Sequence, residues 1–161
     1  VPEGKRVLVD VETGSEELAR ARGAGFDFFQ IHTGLQLGLA TLATWSGLVG
    51  KERLWLAPRV PPEEAFPEAT LPFADTILVD TFKKDQFGGT GQTGDWARFA
   101  QLQEAHPETH WILAGGLSPA NVLEAVVQTG ARHLDLNSGI EGAPGVKDHD
   151  KLRQVFGILR P

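Results

Sequence analysis

Asp75 to Thr93 reads Asp-Thr-Ile-Leu-Val-Asp-Thr-Phe-Lys-Lys-Asp-Gln-Phe-Gly-Gly-Thr-Gly-Gln-Thr, and the fold turns on this stretch. Thr76 to Val79 is a short run of β-branched and aliphatic residues, the pattern of a strand. It delivers a carboxylate, Asp80, to its C-terminal end, after which the chain opens into a loop holding Gly88, Gly89 and Gly91. Residues without Cβ tolerate φ > 0 and close ligand approach, so backbone N–H groups of such a loop can converge on an anion. Two readings stand at this point. One is an anion cradle beside a chemically active carboxylate, the other a flexible surface turn beside a capping or solvated one.

The same alternation recurs on both sides. Upstream, Lys5 to Val11 reads as a strand, and Ser15 with Glu16 and Glu17 starts a helix that runs to about Arg22 before Gly23 and Gly25 stop it. Phe26 to His32 is a second strand. Leu35, Leu39, Leu42 and Trp45 then fall at the spacing of one helix face. Leu54 to Val60 is a third strand with Pro58 placed near its end, and Pro61 and Pro62 lead into a short helix over about Glu63 to Ala69. Downstream, Asp95 caps a helix through Trp96, Phe99 and Leu102 to about Ala105. His110 to Ala114 is a fifth strand ending in Gly115-Gly116, after which Ser118 caps and Pro119 opens a helix to about Gln128. His133 to Leu136 is a sixth strand ending in Asn137-Ser138-Gly139, and Asp148 starts the last helix.

Six strand-then-helix units with connections too long for hairpins imply right-handed crossovers and a parallel α/β sheet in a single domain over residues 1–161. A doubly wound sheet and a (β/α)8 barrel both fit. Glycine-bearing loops at successive strand ends favour the barrel, whereas a dinucleotide fold would place its glycines after the first strand. The count falls short of a closed barrel, because six strands are not eight and 161 residues lie below the roughly 200 of the smallest complete examples.

Composition narrows the function classes. With 41% hydrophobic and 22% charged residues the chain is an ordinary globular domain, and a net charge of -6 without a basic run argues against a nucleic-acid partner. No cysteine is present, which excludes disulfides, thiolate metal sites and a cysteine nucleophile within these residues. The five histidines show no ligand spacing, so neither a metal nor a cofactor is expected. No apolar run reaches the roughly 18 residues that span a bilayer, no signal peptide is visible, and a cytoplasmic setting is expected. The chain begins Val-Pro-Glu-Gly and lacks Met, so residue 1 is not expected to be the natural start.

Three motifs carry a family resemblance. Asp80 with Phe87-Gly88-Gly89-Thr90-Gly91-Gln92-Thr93-Gly94-Asp95-Trp96, then Leu113-Ala114-Gly115-Gly116-Leu117-Ser118-Pro119-Ala120-Asn121-Val122, then Asp135-Leu136-Asn137-Ser138-Gly139-Ile140-Glu141 with Pro144-Gly145-Val146-Lys147-Asp148, resemble phosphoribosylanthranilate isomerase of tryptophan biosynthesis. Gln30-Ile31-His32 and Arg59-Val60 resemble that family's fourth and fifth strands more loosely, while Leu56-Ala57-Pro58 stands where the family often has a lysine.

The resemblance implies an incomplete (β/α)8 barrel, strands three to eight, without the two βα units that carry the Lys-Ile-Cys-Gly motif and its general-base cysteine. It implies an Amadori rearrangement of N-(5-phosphoribosyl)anthranilate with Asp80 as the acid. That role needs a proton near neutral pH, so burial at the strand end is expected to raise the pKa of Asp80 above the usual value of about 3.9. Phosphate is expected against Gly115, Gly116, Ser138 and Gly139, with Gly88 and Gly89 on the substrate side. Asp135 is either a partner of a substrate hydroxyl or an interior carboxylate paired with a neighbour. His32 and Arg59 are further candidates, and a lone His in such a place is more often a hydrogen-bonded structural residue. The expected partner is a small phosphoribosyl substrate, with a complementing segment or a second copy covering the exposed strand edges. Two other readings are kept: a different phosphate-binding barrel enzyme such as an indole-glycerol-phosphate synthase relative, and a non-catalytic phosphate-binding fragment.

Overall fold

A computed structural model describes residues 6–80 and 95–160. Six parallel strands carry the fold: β1 (Val7–Val11), β2 (Phe28–Thr33), β3 (Leu54–Pro58), β4 (Thr76–Asp80), β5 (His110–Ala114) and β6 (His133–Leu134). They hydrogen-bond in chain order, β1-β2-β3-β4-β5-β6. A doubly wound sheet reverses its order at a switch point, and this sequence of strands has no reversal. The chain divides into two compact units, residues 1–78 with 108–110, and residues 79–107 with 111–161.

In the first unit successive strand residues point to two faces. Phe29 and Ile31 of β2 stand beside Leu54 and Leu56 of β3 and are buried with them. Helices α1 (Ser15–Gly23) and α2 (Leu39–Val49) add Leu18, Leu42, Trp45 and Val49 to this unit's core. The opposite face carries Gln30 and His32, with Phe28 stacked on Trp55 at 5.0 Å between ring centroids. On β1 the register pairs Val9 with Gln30 and Val11 with His32, and these two valines are 57% and 54% exposed. Glu12, just beyond β1, has φ +46, a left-handed backbone unusual for a residue with a Cβ. Its N–H donates to the His32 carbonyl at 3.0 Å, and its Oε1 accepts the Gly34 N–H at 2.8 Å.

In the second unit α3 (Trp96–Ala105) buries Trp96, Phe99 and Leu102, and its N-cap Asp95 accepts the Arg98 N–H at 3.0 Å, both as the spacing predicts. Helices α4 (Val122–Thr129) and α5 (His149–Leu159) share a core of Val122, Val155 and Ile140, with Leu134, Leu136, Leu152, Ile158 and Leu159 packed against it. Among the described residues no helix is long and apolar enough to cross a membrane.

The structure departs from the sequence reading at several places. Helix α2 begins after Gly38, so Leu35 precedes it, Leu39 is exposed, and the buried face is Leu42, Trp45 and Val49. The helix expected over Glu63 to Ala69 is a 3₁₀ segment at Glu68–Phe73. Pro67 and Pro72 remove the donors an α-helix would need there, and the Thr70 N–H closes on the Pro67 carbonyl at 2.9 Å. The cap of α4 is Asn121 rather than Ser118, because Ser118 to Asn121 form a separate turn ahead of the helix. A small hairpin, β7 (Glu141–Ala143) with β8 (Val146–Lys147), is additional. Its Pro144-Gly145 turn, with φ +76 at Gly145, was the available signal.

Arg53 ties the start of β3 to the start of β2. Its Nε donates to the Asp27 carbonyl at 2.9 Å, its Nη2 to the Phe26 carbonyl at 2.6 Å, and its guanidinium lies 5.1 Å from the Phe29 ring centroid. Replacing it leaves two part-buried carbonyls short of donors, so Arg53→Ala is expected to lower stability by about 2 to 3 kcal/mol in urea denaturation.

Candidate functional site

The sequence-predicted residues of the second unit sit at strand C-termini and in the loops that follow. Gly115 and Gly116 leave β5 with φ +99 and +64. Two consecutive left-handed residues are cheap only without a Cβ, which is why this loop needs both glycines. Asp135 follows β6, half-buried, and its N–H extends the parallel ladder by donating to the Leu113 carbonyl at 2.9 Å. Ser138 is exposed and opens a single 3₁₀ turn, Ser138–Ile140.

Gly139 joins the two loops. A Cβ built on it would lie 2.0 Å from the Leu117 carbonyl oxygen and 3.0 Å from the Ser118 Cβ. No side chain fits that gap. The loop after β6 therefore lies directly against the backbone of the loop after β5 at Leu117 and Ser118, the residues that follow Gly115-Gly116.

Each loop is held by side chains to which sequence reasoning assigned no such task. Asn121 accepts the Ser118 N–H at 2.8 Å and donates to the Gly116 carbonyl at 3.1 Å. The Lys147 Nζ donates to the Asn137 carbonyl at 3.1 Å, to the Asn137 Oδ1 at 2.5 Å and to the Glu141 Oε1 at 2.9 Å. That ammonium holds the Glu141 carboxyl below its usual range, principally through the side-chain hydrogen bond. Asp148 caps α5, its Oδ1 accepting the Asp150 and Lys151 N–H groups at 2.9 and 3.1 Å, and these bonds lower its pKa as well, the one from Lys151 most.

Asp80 is the last residue of β4 and is exposed, so the burial expected at the strand end is absent. Strand β4 buries its first three residues and reaches the surface at the end that carries the carboxylate. Gly88 and Gly89 lie outside the described residues. His32 and Arg59 belong to the first unit, where they stand at the same ends of neighbouring strands β2 and β3. Arg59 is exposed, and its N–H donates to the Thr33 carbonyl at 2.8 Å. The Nε2 of half-buried His32 lies 3.2 Å from the Nε2 of buried Gln30.

Comparison with known proteins gives a consistent result. A family model described as N-(5'-phosphoribosyl)anthranilate (PRA) isomerase matches residues 4–157. An N-(5'-phosphoribosyl)anthranilate isomerase of Trichormus variabilis is 46% identical over 87 residues, covering 54% of this chain and 40% of the relative. That of Synechococcus elongatus is 34% identical over 160 residues, covering 98% of this chain and 71% of the relative. The chain thus spans about two-fifths of the length of the Trichormus relative it matches. Among solved structures, TrpF from Jonesia denitrificans is 30% identical with a TM-score of 0.70, covering 96% of this chain and 70% of that one. A phosphoribosyl anthranilate isomerase from Thermococcus kodakaraensis is 26% identical with a TM-score of 0.69 over 96% of this chain and 73% of that one. The fold is accordingly of the (β/α)8 barrel class.

Two outcomes follow. Gly139→Ala is expected to cost about 2 kcal/mol through overpacking, while Gly142→Ala, whose Cβ would meet nothing nearer than 3.8 Å, should stay within about 0.5 kcal/mol; urea midpoints of the two variants decide. The lowered carboxyls at Glu141 and Asp148 set the direction of the acid response. Their contribution is complete above the ordinary carboxylate range of about 4 and is lost as the pH falls through and below it. Asp148→Asn should therefore flatten the decline of the urea midpoint measured between about pH 5 and pH 2.

Proposed function

The chain belongs to the N-(5'-phosphoribosyl)anthranilate isomerase family, and from that premise we propose that it contributes strands three to eight of a (β/α)8 barrel catalysing the Amadori rearrangement of N-(5-phosphoribosyl)anthranilate. The product is 1-(2-carboxyphenylamino)-1-deoxyribulose 5-phosphate, made in tryptophan biosynthesis in a cytoplasmic setting. The observation that supports this best is the backbone contact between the two glycine-bearing loops, made at Gly139 and Leu117. That contact supports a cradle made of amides from two successive strand ends, which needs no cation and suits a phosphate on a chain of net negative charge.

In this reading Gly115, Gly116, Ser138 and Gly139 hold the phosphate, and Gly88 and Gly89 close on the sugar. Asp80 protonates the ribose ring oxygen, the ring opens to the protonated imine, and loss of the C2 proton gives the enolamine. Return of a proton to C1 and loss of one from the C2 hydroxyl complete an isomerisation in which no external oxidant or reductant takes part. Asp135 takes a sugar hydroxyl. The family's general-base cysteine has no counterpart among these 161 residues, which contain no Cys. The base comes from a complementing segment, which would also cover Val9 and Val11 on β1; a second copy of the chain is the other occupant of that edge. The non-catalytic fragment remains a second reading on the cysteine count alone. A different phosphate-binding barrel enzyme is not favoured by the family match.

Joined to a segment bearing Lys-Ile-Cys-Gly, the chain is expected to turn over substrate, followed by anthranilate fluorescence. In that protein Asp80→Asn should lower kcat by about 1000-fold, the middle of the range of general-acid contributions, with product affinity nearly unchanged. Near-normal turnover would remove Asp80 from the acid role.

A further inference from the structure

Asn121 occupies the N-cap of α4 with φ −132 and ψ −8, yet its side chain makes no capping bond to that helix. An asparagine there ordinarily accepts an N–H from the first helical turn. Here both halves of the amide are turned back onto the preceding loop. Its Oδ1 accepts the Ser118 N–H at 2.8 Å and the Ser118 hydroxyl at 3.4 Å, and its Nδ2 donates to the Gly116 carbonyl at 3.1 Å. Gly115 and Gly116, with φ +99 and +64, have no side chains to fix their conformation, so an external tie is what selects one arrangement.

We infer that Asn121 is a positioning residue for the phosphate loop, holding the Gly116 carbonyl away from the bound anion; this rests on the phosphate-binding reading above. A trans peptide puts its N–H opposite its carbonyl, so a Gly116 carbonyl tied to Asn121 aims the Leu117 N–H the other way. The Ser118 N–H is consumed by the same clamp and leaves the set of amides offered to the ligand. Without the amide donor the Gly116 peptide can flip and present a carbonyl oxygen to a phosphate, a repulsive contact.

The test titrates the chain with the reduced product analogue, 1-(o-carboxyphenylamino)-1-deoxyribulose 5-phosphate in reduced form, and with its dephosphorylated counterpart, by anthranilate fluorescence. Asn121→Ala removes both ties. Asn121→Asp keeps the acceptor for Ser118 and loses the donor to Gly116, and serves if the alanine variant fails to fold. Each is expected to weaken binding of the phosphorylated analogue about tenfold, the scale of one to two lost hydrogen bonds, with the dephosphorylated analogue unaffected. Equal weakening of both analogues in a folded variant, or full affinity in Asn121→Asp, overturns the inference while leaving the phosphate reading intact. A wild-type chain that binds both analogues equally overturns that reading, and the inference with it.

Discussion

Parallel pairing is the constraint from which the rest follows. Two parallel strands cannot be joined by a tight turn, so the chain must return along a helix or an extended segment before the next strand begins. Every strand then ends on the same side of its neighbour, as the registers of β1 with β2, β2 with β3 and β5 with β6 show. Side chains that leave a strand at its C-terminus gather without any sequence proximity. His32 and Arg59 stand at the same ends of neighbouring strands in the first unit, and in the second the loop of Gly139 touches the loop of Leu117. In the first unit the helices add Leu18, Leu42, Trp45 and Val49 to the buried strand residues Phe29, Ile31, Leu54 and Leu56.

Much of this was readable from the residues because it is local. Asp95 and Asp148 cap their helices through bonds that reach only two or three residues ahead, so residue type and position suffice. The buried face of α3 is likewise written in the spacing of Trp96, Phe99 and Leu102. The glycine pair after β5 announced an unusual backbone, and the positive φ values are there.

What escaped the sequence is contact between segments distant in chain order or made through backbone atoms. Nothing near Gly139 says that its missing Cβ accommodates the Leu117 carbonyl, because that oxygen belongs to another loop. Asn121 carries the composition of a helix cap, and only its geometry reveals that it faces the other way. Exposure misled in both directions. Asp80 lies on a strand whose first residues are fully buried and is itself at the surface, while Val9 and Val11 are β-branched yet solvent-facing. Hydropathy reports a preference for cover, and whether cover exists depends on what stands opposite.

Lys147 carries a practical implication for chemical derivatisation. Its ammonium is at the surface, where an amine-directed dye or crosslinker would reach it, but its three N–H donors are committed to Asn137 and Glu141. Acylating that nitrogen would erase its charge and leave fewer donors than acceptors, releasing the turn that begins at Ser138. A conjugation strategy that preserves this region should therefore address the chain through residues other than its lysines.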